Sequence, residues 1–377
     1  MRRHRVVLLT SAVLIATAVA TTAASASNGA HKNGVSAAKA YVAKLMKPPA
    51  WKGPKTKVHA AAAKGKNVYL INLTEAIPAL HEWTVVATQQ LKAAGVNVTD
   101  CDAKGSPNGI TTCLNQALAA RPDAIVALAL DNKFIASYMK KAKAAGIKFI
   151  TGQSGRPMLP KSPPGRVAEV TFDYFAVGRL MGAWFAADSK CAKGAPQIIT
   201  TTSSREPSAA EVAGIEKAIK SYCPGMKVPA PINVLIPDWA TKLATVTRSA
   251  LLANPNLNYI LPLYDGMTIY MNPAIKQTHR TVRMASFNAT PVVMQTEVSK
   301  PSPLIADVGG PNQWYAVALA DEVLRVLAGQ KPVKSENVPL RLFTPGNIKS
   351  INVKKDESTW YGKVNPIVNY HKLWGIK

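Results

Sequence analysis

The side chains that could do chemistry in this sequence stand where predicted strands end and loops lead into helices. They are hydrogen-bonding and aromatic groups, a mixture that suits reversible binding of a small molecule. The predicted ligand-binding residues are Thr74, Glu75, Leu80, His81, Asp131, Gln153, Ser154, Arg205, Trp239, Tyr264, Asp265, Phe287 and Asn288. Trp83 and Glu206 are further candidates.

Several of these residues also have a purely structural interpretation. Glu75 and Asp131 can cap helices, since a carboxylate readily accepts hydrogen bonds from the first turn. Trp83 can belong to the hydrophobic core. Arg205 can pair with Glu206 at the surface, where an ion pair adds little stability. The sequence leaves both interpretations open.

No catalytic signature accompanies these residues. The sequence has no GxSxG, P-loop, HExxH or paired-carboxylate motif, and no histidine lies at metal-ligand spacing. The segment Gly105–Gly109 lacks the Lys-Ser/Thr step of a phosphate-binding loop. His81 next to Glu82 is a sequence neighbour only, which is not evidence of acid–base chemistry. We therefore predict a protein without enzymatic activity, cofactor or metal.

The elements that position these residues are clearest in one β-α-β unit. Ala124–Leu130 is a continuous apolar run, typical of a parallel strand buried on both faces. Phe134–Ala145 has the apolar spacing of a helix, and Gly146 follows it at a favoured C-terminal position. The next strand is Ile147–Thr151. This unit predicts a doubly wound parallel sheet with its ligand at the carboxyl ends of the strands.

The same alternation of strands and helices continues along the chain in two series. The other predicted strands are Asn67–Asn72, Val96–Thr99, Val167–Phe172, Gln197–Thr201, Ile232–Ile236, Tyr259–Pro262, Arg283–Phe287 and Pro303–Val308, with short strands from Val338. The other predicted helices are one ending at Gly95, then Ser106–Ala119, Tyr174–Ser189, Ala209–Tyr222, Lys242–Asn254, Thr268–Gln277 and Gln313–Ala328. Two such series predict two Rossmann-like α/β lobes that face each other across a cleft.

Residues 1–26 have the pattern of a signal peptide. Arg2, Arg3 and Arg5 precede the apolar stretch Val6–Ala20, and an Ala-Ser-Ala cleavage signal ends at residue 26. No cysteine near this signal could take a lipid, and no later run reaches the ~18 apolar residues of a spanning helix. We expect an exported protein in an extracytoplasmic space that is not a lipoprotein.

The charge is concentrated in the leader, residues 27–65. The chain carries a formal net charge of +25, and nine lysines but no acidic residue lie between Ser27 and Lys66. No arginine-rich helix or zinc spacing accompanies them, so we predict no nucleic-acid partner. The charge indicates surface solvation or attraction to an anionic envelope. A short helix is predicted at Ser36–Met46, and the rest of the leader should wrap the surface or stay partly disordered.

Four cysteines in an exported protein should form disulfides. Three connectivities exist. Cys101 ends a predicted strand and Cys113 lies in the next helix, while Cys191 and Cys223 each close a helix. The local pairs Cys101–Cys113 and Cys191–Cys223 are therefore favoured, with free buried thiols as the alternative.

The order of these elements resembles the type I periplasmic binding proteins, the ribose/galactose-type solute-binding components of ABC transporters. The matching segments are Gln116–Ile125, Ala145–Ile147, Asp173–Gly178, Asn254–Met267 and Phe287–Pro291, with a Lys372–Gly375 tail similar to actinobacterial members. The resemblance implies an N-lobe of residues 66–172 plus 311–340 and a C-lobe of residues 173–310 plus 341–377. It also implies a monomer that delivers its ligand to an ABC permease, or reports to a sensory receptor.

The resemblance implies a sugar-like ligand, with Trp239 and Phe287 at positions where relatives stack aromatic rings on sugars and Asp265 as an acceptor. Several polar groups of the family's sugar sites are replaced here. The replacements are Ile77–Leu80, Gln153-Ser154, Glu211 and Asn288. The alternative is therefore an aromatic acid or another apolar ring metabolite, with Arg205 meeting a carboxylate.

Overall fold

The computed structural model describes residues 32–154, 163–192 and 194–376. The predicted signal peptide lies outside the described residues. Among the described residues, no helix is both long and apolar enough to cross a membrane.

The first sheet contains five parallel strands in the order β2-β1-β3-β4-β5. The strands are β1 Asn67–Asn72, β2 Asn97–Asp102, β3 Ala124–Leu128, β4 Lys148–Gly152 and β5 Arg166–Val170. The helices that connect them are α2 Pro78–Ala93, α3 Pro107–Ala120 and α4 Asn132–Ala144. All five residues of β3 are buried, as the unbroken apolar run predicts for a central parallel strand.

The second sheet contains six strands in the order β11-β10-β9-β8-β6-β7. They are β6 Gln197–Thr200, β7 Ile232–Asn233, β8 Tyr259–Pro262, β9 Arg283–Asn288, β10 Leu304–Gly309 and β11 Arg341–Phe343. Only the pairing of β11 with β10 is antiparallel. The helices of this half are α5 Tyr174–Ser189, α6 Arg205–Tyr222, α7 Trp239–Ala253, α8 Thr268–Gln277 and the short α9 Pro291–Val293. The predicted α/β fold with two mostly parallel sheets is confirmed.

Element boundaries differ from the prediction at the edge of this sheet. β7 covers two residues instead of the five predicted for Ile232–Ile236. It pairs only with β6, and Pro237 turns the chain into a 3₁₀ helix at Ile236–Asp238. As a result α7 begins at Trp239, three residues before its predicted start.

The chain passes between the two sheets near its end. Helix α10, Asn312–Leu327, follows β10 but packs on α2, and its Tyr315 hydroxyl donates to the Val170 carbonyl of β5 at 3.3 Å. The chain then returns to the second sheet as β11. The last helix, α11 Pro366–Trp374, packs on α10. Trp374 Nε1 of α11 donates to Asp321, a buried carboxylate on α10, at 2.6 Å.

The leader wraps the folded body. A helix over residues 32–45, here α1, packs on the second half, where the Arg179 guanidinium lies 5.4 Å from the Tyr41 ring centroid. The following extended chain reaches the other half, where Trp51 stacks on Trp314 with centroids 5.1 Å apart. The leader is thus tied to both halves by aromatic contacts, and its wrapping agrees with the prediction.

Helices α5 and α6 approach so closely that glycine is required between them. A Cβ added at Gly178 would lie 1.9 Å from the Glu211 carbonyl oxygen, a backbone atom that cannot move without shifting α6. We expect Gly178→Ala to lower the free energy of unfolding by about 1 to 3 kcal/mol, the usual cost of overpacking. Denaturant unfolding of the purified protein measures this loss.

The control is Gly194→Ala. There the added Cβ would meet only the Asn256 carbonyl at 3.6 Å, an ordinary van der Waals distance. Equal stability of the two variants would contradict the close packing of α5 on α6.

Candidate ligand-binding cleft

The carboxyl ends of the two sheets face each other across a small cavity of about 30 Å³. The lining residues are Leu73, Ile77, Ala79, Leu80, Trp83, Ala129, Tyr174, Ser204, Ile236, Trp239, Tyr264 and Asn288. Both halves of the molecule contribute to this set, so the site exists only when they are together.

Trp239 and Tyr264, two aromatic residues of the cavity, use their polar atoms within the protein. The Trp239 and Tyr264 rings stack with centroids 6.4 Å apart. Trp239 Nε1 donates to the Val234 carbonyl at 3.2 Å, and the Tyr264 hydroxyl shares a 3.2 Å hydrogen bond with Ser208. What these two rings offer to a ligand is therefore mainly their carbon surface.

Asn312, the first residue of α10, connects the two sides of the cavity. Its Oδ1 accepts from Trp83 Nε1 at 2.8 Å, and its Nδ2 donates to the Asn288 carbonyl at 3.5 Å. The Asn312 backbone is held in turn by the buried Glu357 carboxylate, which accepts from its N–H at 2.7 Å. Asn312, which is fully buried, thus holds both Trp83 and Asn288 in position.

Asn288 lines the cavity and carries a buried polar atom without a partner. It is 3% exposed, and its Oδ1 has no hydrogen-bond partner within the described residues. Its φ is +128° and that of the following Ala289 is +52°, conformations that non-glycine residues seldom adopt. Such backbone strain is commonly concentrated at functional sites, where it aims a side chain.

Asp265 lies behind Asn288. Its Oδ2 accepts hydrogen bonds from the Thr290 N–H and hydroxyl, both at 2.7 Å. Burial raises the pKa of Asp265 to about 7, although the Thr290 bonds and the Asn288 side chain act in the opposite direction. This carboxyl holds the loop after β9 in place.

Two polar contacts close the rim of the cleft. Arg205 Nε lies 3.2 Å from Asp131 Oδ2, and Asn132 Nδ2 donates to Glu206 Oε2 at 2.7 Å. Each contact joins the start of α4 in the first half to the start of α6 in the second. The geometry is that of a closed cleft.

The family of the protein follows from comparison of the whole chain with known proteins. A sequence model described as "Periplasmic binding protein domain" matches residues 68–326, more than half of the chain. The chain belongs to this family. A search of curated proteins finds no match.

Solved structures of ABC-transporter solute-binding proteins share the fold of this periplasmic binding protein. One from Agrobacterium vitis, with bound allitol, has a TM-score of 0.70 at 21% identity and covers 78% of this chain and 100% of its own. The 5-methylthioribose transporter protein of Thermotoga lettingae has a TM-score of 0.70 at 18% identity, with coverages of 85% and 99%. One from Mycobacterium smegmatis, with bound glycerol, has a TM-score of 0.67 at 19% identity, with coverages of 78% and 98%.

Family membership confirms the resemblance seen in the sequence. Proteins of this family bind solutes and are typically not enzymes, and they act outside the cytoplasm. These three properties agree with the predictions made for this chain.

Four of the predicted ligand-binding residues line the cavity of this binding protein: Leu80, Trp239, Tyr264 and Asn288. Trp83 lines it as well. Phe287 does not line it, because it has no exposed surface and packs edge-to-face on Phe172, with centroids 5.4 Å apart. Its stacking on a ligand stays a prediction.

Near β1, the predicted polar residues contact one another instead of the cavity. Thr74 Oγ1 accepts from the Ala76 N–H at 3.2 Å. Glu75 accepts from Asn72 Nδ2 at 2.7 Å and pairs with His81 Nδ1 at 2.8 Å. The His81 side chain is 60% exposed at the surface.

The predicted residues after β3 and β4 also serve the backbone. Asp131 caps α4 by accepting from the Lys133 N–H at 2.8 Å. Gln153 Oε1 accepts from the Phe172 N–H at 3.1 Å, and the Ser154 N–H donates to Glu169 at 3.0 Å. These contacts place them near the cleft but not in its lining.

The lining residues that the sequence analysis missed are mostly apolar: Leu73, Ile77, Ala79, Ala129, Tyr174, Ser204 and Ile236. They follow strand ends, as the predicted residues do, so their location was available from the sequence. Their chemistry gave no signal, because an apolar side chain in a loop is indistinguishable from core.

Proposed function

We propose that this protein is the solute-binding component of an ABC importer and that it binds a sugar or sugar-like ring compound between its two lobes, without catalysis. The observation that carries the proposal is the closed cavity, in which the stacked Trp239 and Tyr264 offer a ring face at the carboxyl ends of both sheets. Aromatic faces of this kind bind the apolar face of a sugar ring.

The proposal extends to the lobes and the partner. The N-lobe is residues 66–172 and 311–340, and the C-lobe is residues 173–310 and most of 341–377, with α11 packed on the N-lobe helix α10.

Residues 1–26 act as a signal peptide that exports the protein without a lipid anchor. The protein acts as a monomer and meets its permease with the lobes closed. The neighbours with bound allitol and glycerol support a hydroxylated ligand.

The alternative ligand is an aromatic acid whose carboxylate would pair with Arg205. The structure gives Arg205 another partner. Arg205 is 61% exposed and already paired with Asp131 at the rim. Charge pairing with a ligand carboxylate would have to break this contact.

Trp239→Ala tests the location of the site. Because truncating an aromatic anchor in a buried site costs about 2 kcal/mol or more, we expect the Kd for a sugar that binds the native protein to rise at least about thirtyfold. Isothermal titration calorimetry measures the change, after a thermal-shift screen against sugars and polyols has found the ligand.

The matched control is Trp184→Ala. Trp184 is 5% exposed and Trp239 is 4% exposed, so both truncations remove a buried ring, but Trp184 does not line the cavity. An equal loss of affinity in the two folded variants would contradict this location of the site.

A further inference from the structure

The cavity differs from a typical sugar site in how few polar atoms it offers. Only Ser204 and Asn288 contribute non-aromatic polar side chains to its lining. The indole nitrogens of Trp83 and Trp239 already donate to protein oxygens. A ligand with many hydroxyl groups would leave most of them unpaired, at about 1–3 kcal/mol for each buried group.

The cavity also has no charge in its lining. None of the twelve lining residues is ionisable near neutral pH. Behind them, Glu211 has no exposed surface and neither of its carboxylate oxygens has a partner in the described part of the chain. Burial raises the pKa of Glu211 well above its ordinary value, which favours the neutral form of this carboxyl. The lining therefore suits an uncharged ligand, since an ion would lose its water without meeting an opposite charge.

Among the lining residues, Asn288 carries a buried acceptor that has no partner in the described part of the chain. The Asn288 side chain is held against Asp265, whose pKa it lowers, while its Oδ1 stays unpartnered and buried. Its φ of +128° is a conformation that non-glycine residues seldom adopt. A buried acceptor without a partner is costly until a ligand O–H or N–H donates to it.

We infer that the ligand is a neutral, sparsely hydroxylated ring, such as a deoxy sugar or one with an apolar substituent, and that Asn288 selects it by accepting a hydrogen bond. This inference rests on the proposed function and narrows it. The apolar lining contributes affinity in proportion to the carbon surface that the ligand buries.

Three sugars with the same pentose skeleton test the class of ligand: D-ribose, 5-deoxy-D-ribose and 5-methylthio-D-ribose. Titration calorimetry should show affinity rising in that order. The second sugar lacks a hydroxyl group that would stay unpaired in the cavity. The third sugar adds apolar surface, at about fourfold in affinity for each buried methylene-sized group. A fourth probe, p-cresol, is neutral and apolar but not a sugar.

The outcomes of this series separate the proposed sugar-binding function from the inference that the ligand is sparsely hydroxylated. If D-ribose binds at least as tightly as both derivatives, the sparsely hydroxylated ligand is excluded while the sugar function stands. If p-cresol binds and no sugar does, the sugar function fails and the apolar character of the site is supported. Failure of all four probes to bind would overturn the inference.

Asn288→Gly tests the selecting contact with the tightest of these probes. Glycine accepts a φ of +128° without strain, so the variant should fold at least as well as the native protein and yet bind about tenfold or more weakly. The control is Asn337→Gly, which relaxes a φ of +51° at an exposed residue away from the cavity. Unchanged affinity in Asn288→Gly would overturn the role of Asn288.

Discussion

Replacing Asp321 with alanine is expected to lower the free energy of unfolding by about 3 to 5 kcal/mol. Asp321 Oδ2 accepts from Arg325 Nε at 2.6 Å, and the two side chains are 0% and 1% exposed. Its Oδ1 accepts from Trp374 Nε1 of the last helix, also at 2.6 Å. The substitution leaves a buried guanidinium without its counter-charge and removes the polar contact that anchors α11.

Denaturant unfolding monitored by circular dichroism measures this effect. The control is Asp238→Ala, which removes an ion pair of the same i, i+4 spacing. Its partner Lys242 is 62% exposed and Asp238 is 32% exposed. A pair so accessible to solvent contributes about 1 kcal/mol at most. If the two variants lose equal stability, burial does not set the strength of the Asp321–Arg325 pair.

Removing the disulfide Cys191–Cys223 by the double substitution Cys191→Ala and Cys223→Ala is expected to cost about 4 kcal/mol. The structure confirms the predicted pairing, with sequence separations of 32 for this bond and 12 for Cys101–Cys113. In the chain-entropy account a longer loop restrains the unfolded chain more, so the shorter bond should contribute about 3 kcal/mol.

Two measurements check the disulfides. Thiol titration of the unreduced protein in denaturant should find no free thiol. Unfolding of the two double-alanine variants should then give the larger loss for the pair at residues 191 and 223. Free thiols in the unreduced protein, or a larger loss for the shorter loop, would contradict this account.

The two predictions, for the disulfide and for the Asp321–Arg325 pair, draw on different kinds of information. The disulfides follow from cysteine spacing along a series of β-α units, and the sequence alone favours the observed pairs. The Asp321–Arg325 pair has helical spacing, but nothing in the sequence says that it is buried. Its burial depends on α11 and the leader, since Arg325 also donates to the Thr56 carbonyl, 269 residues away along the chain.

The candidate site shows the same contrast. The sequence indicates which residues lie at strand ends, and tertiary packing decides which of them face the cavity. Phe287 and Asn288 are consecutive residues at the end of β9, and both were predicted to bind the ligand. Consecutive residues on a strand point to opposite faces, so at most one of them could face the cavity. The contacts of Phe287 with Phe172 and Tyr174 place it in the core, and the cavity receives Asn288.

The sequence by itself determined the two β-α series, the burial of β3 and the position of the ligand site at strand ends, because hydrophobic periodicity and helix-ending residues act over a few neighbours. Only the tertiary structure decided which loop residues line the cavity. The Trp83–Asn312 hydrogen bond joins residues 229 apart, and the Trp51–Trp314 stack ties the leader to α10. Such contacts depend on how the two halves meet, which no local pattern records, and they make this cleft more apolar than its strand-end residues suggested.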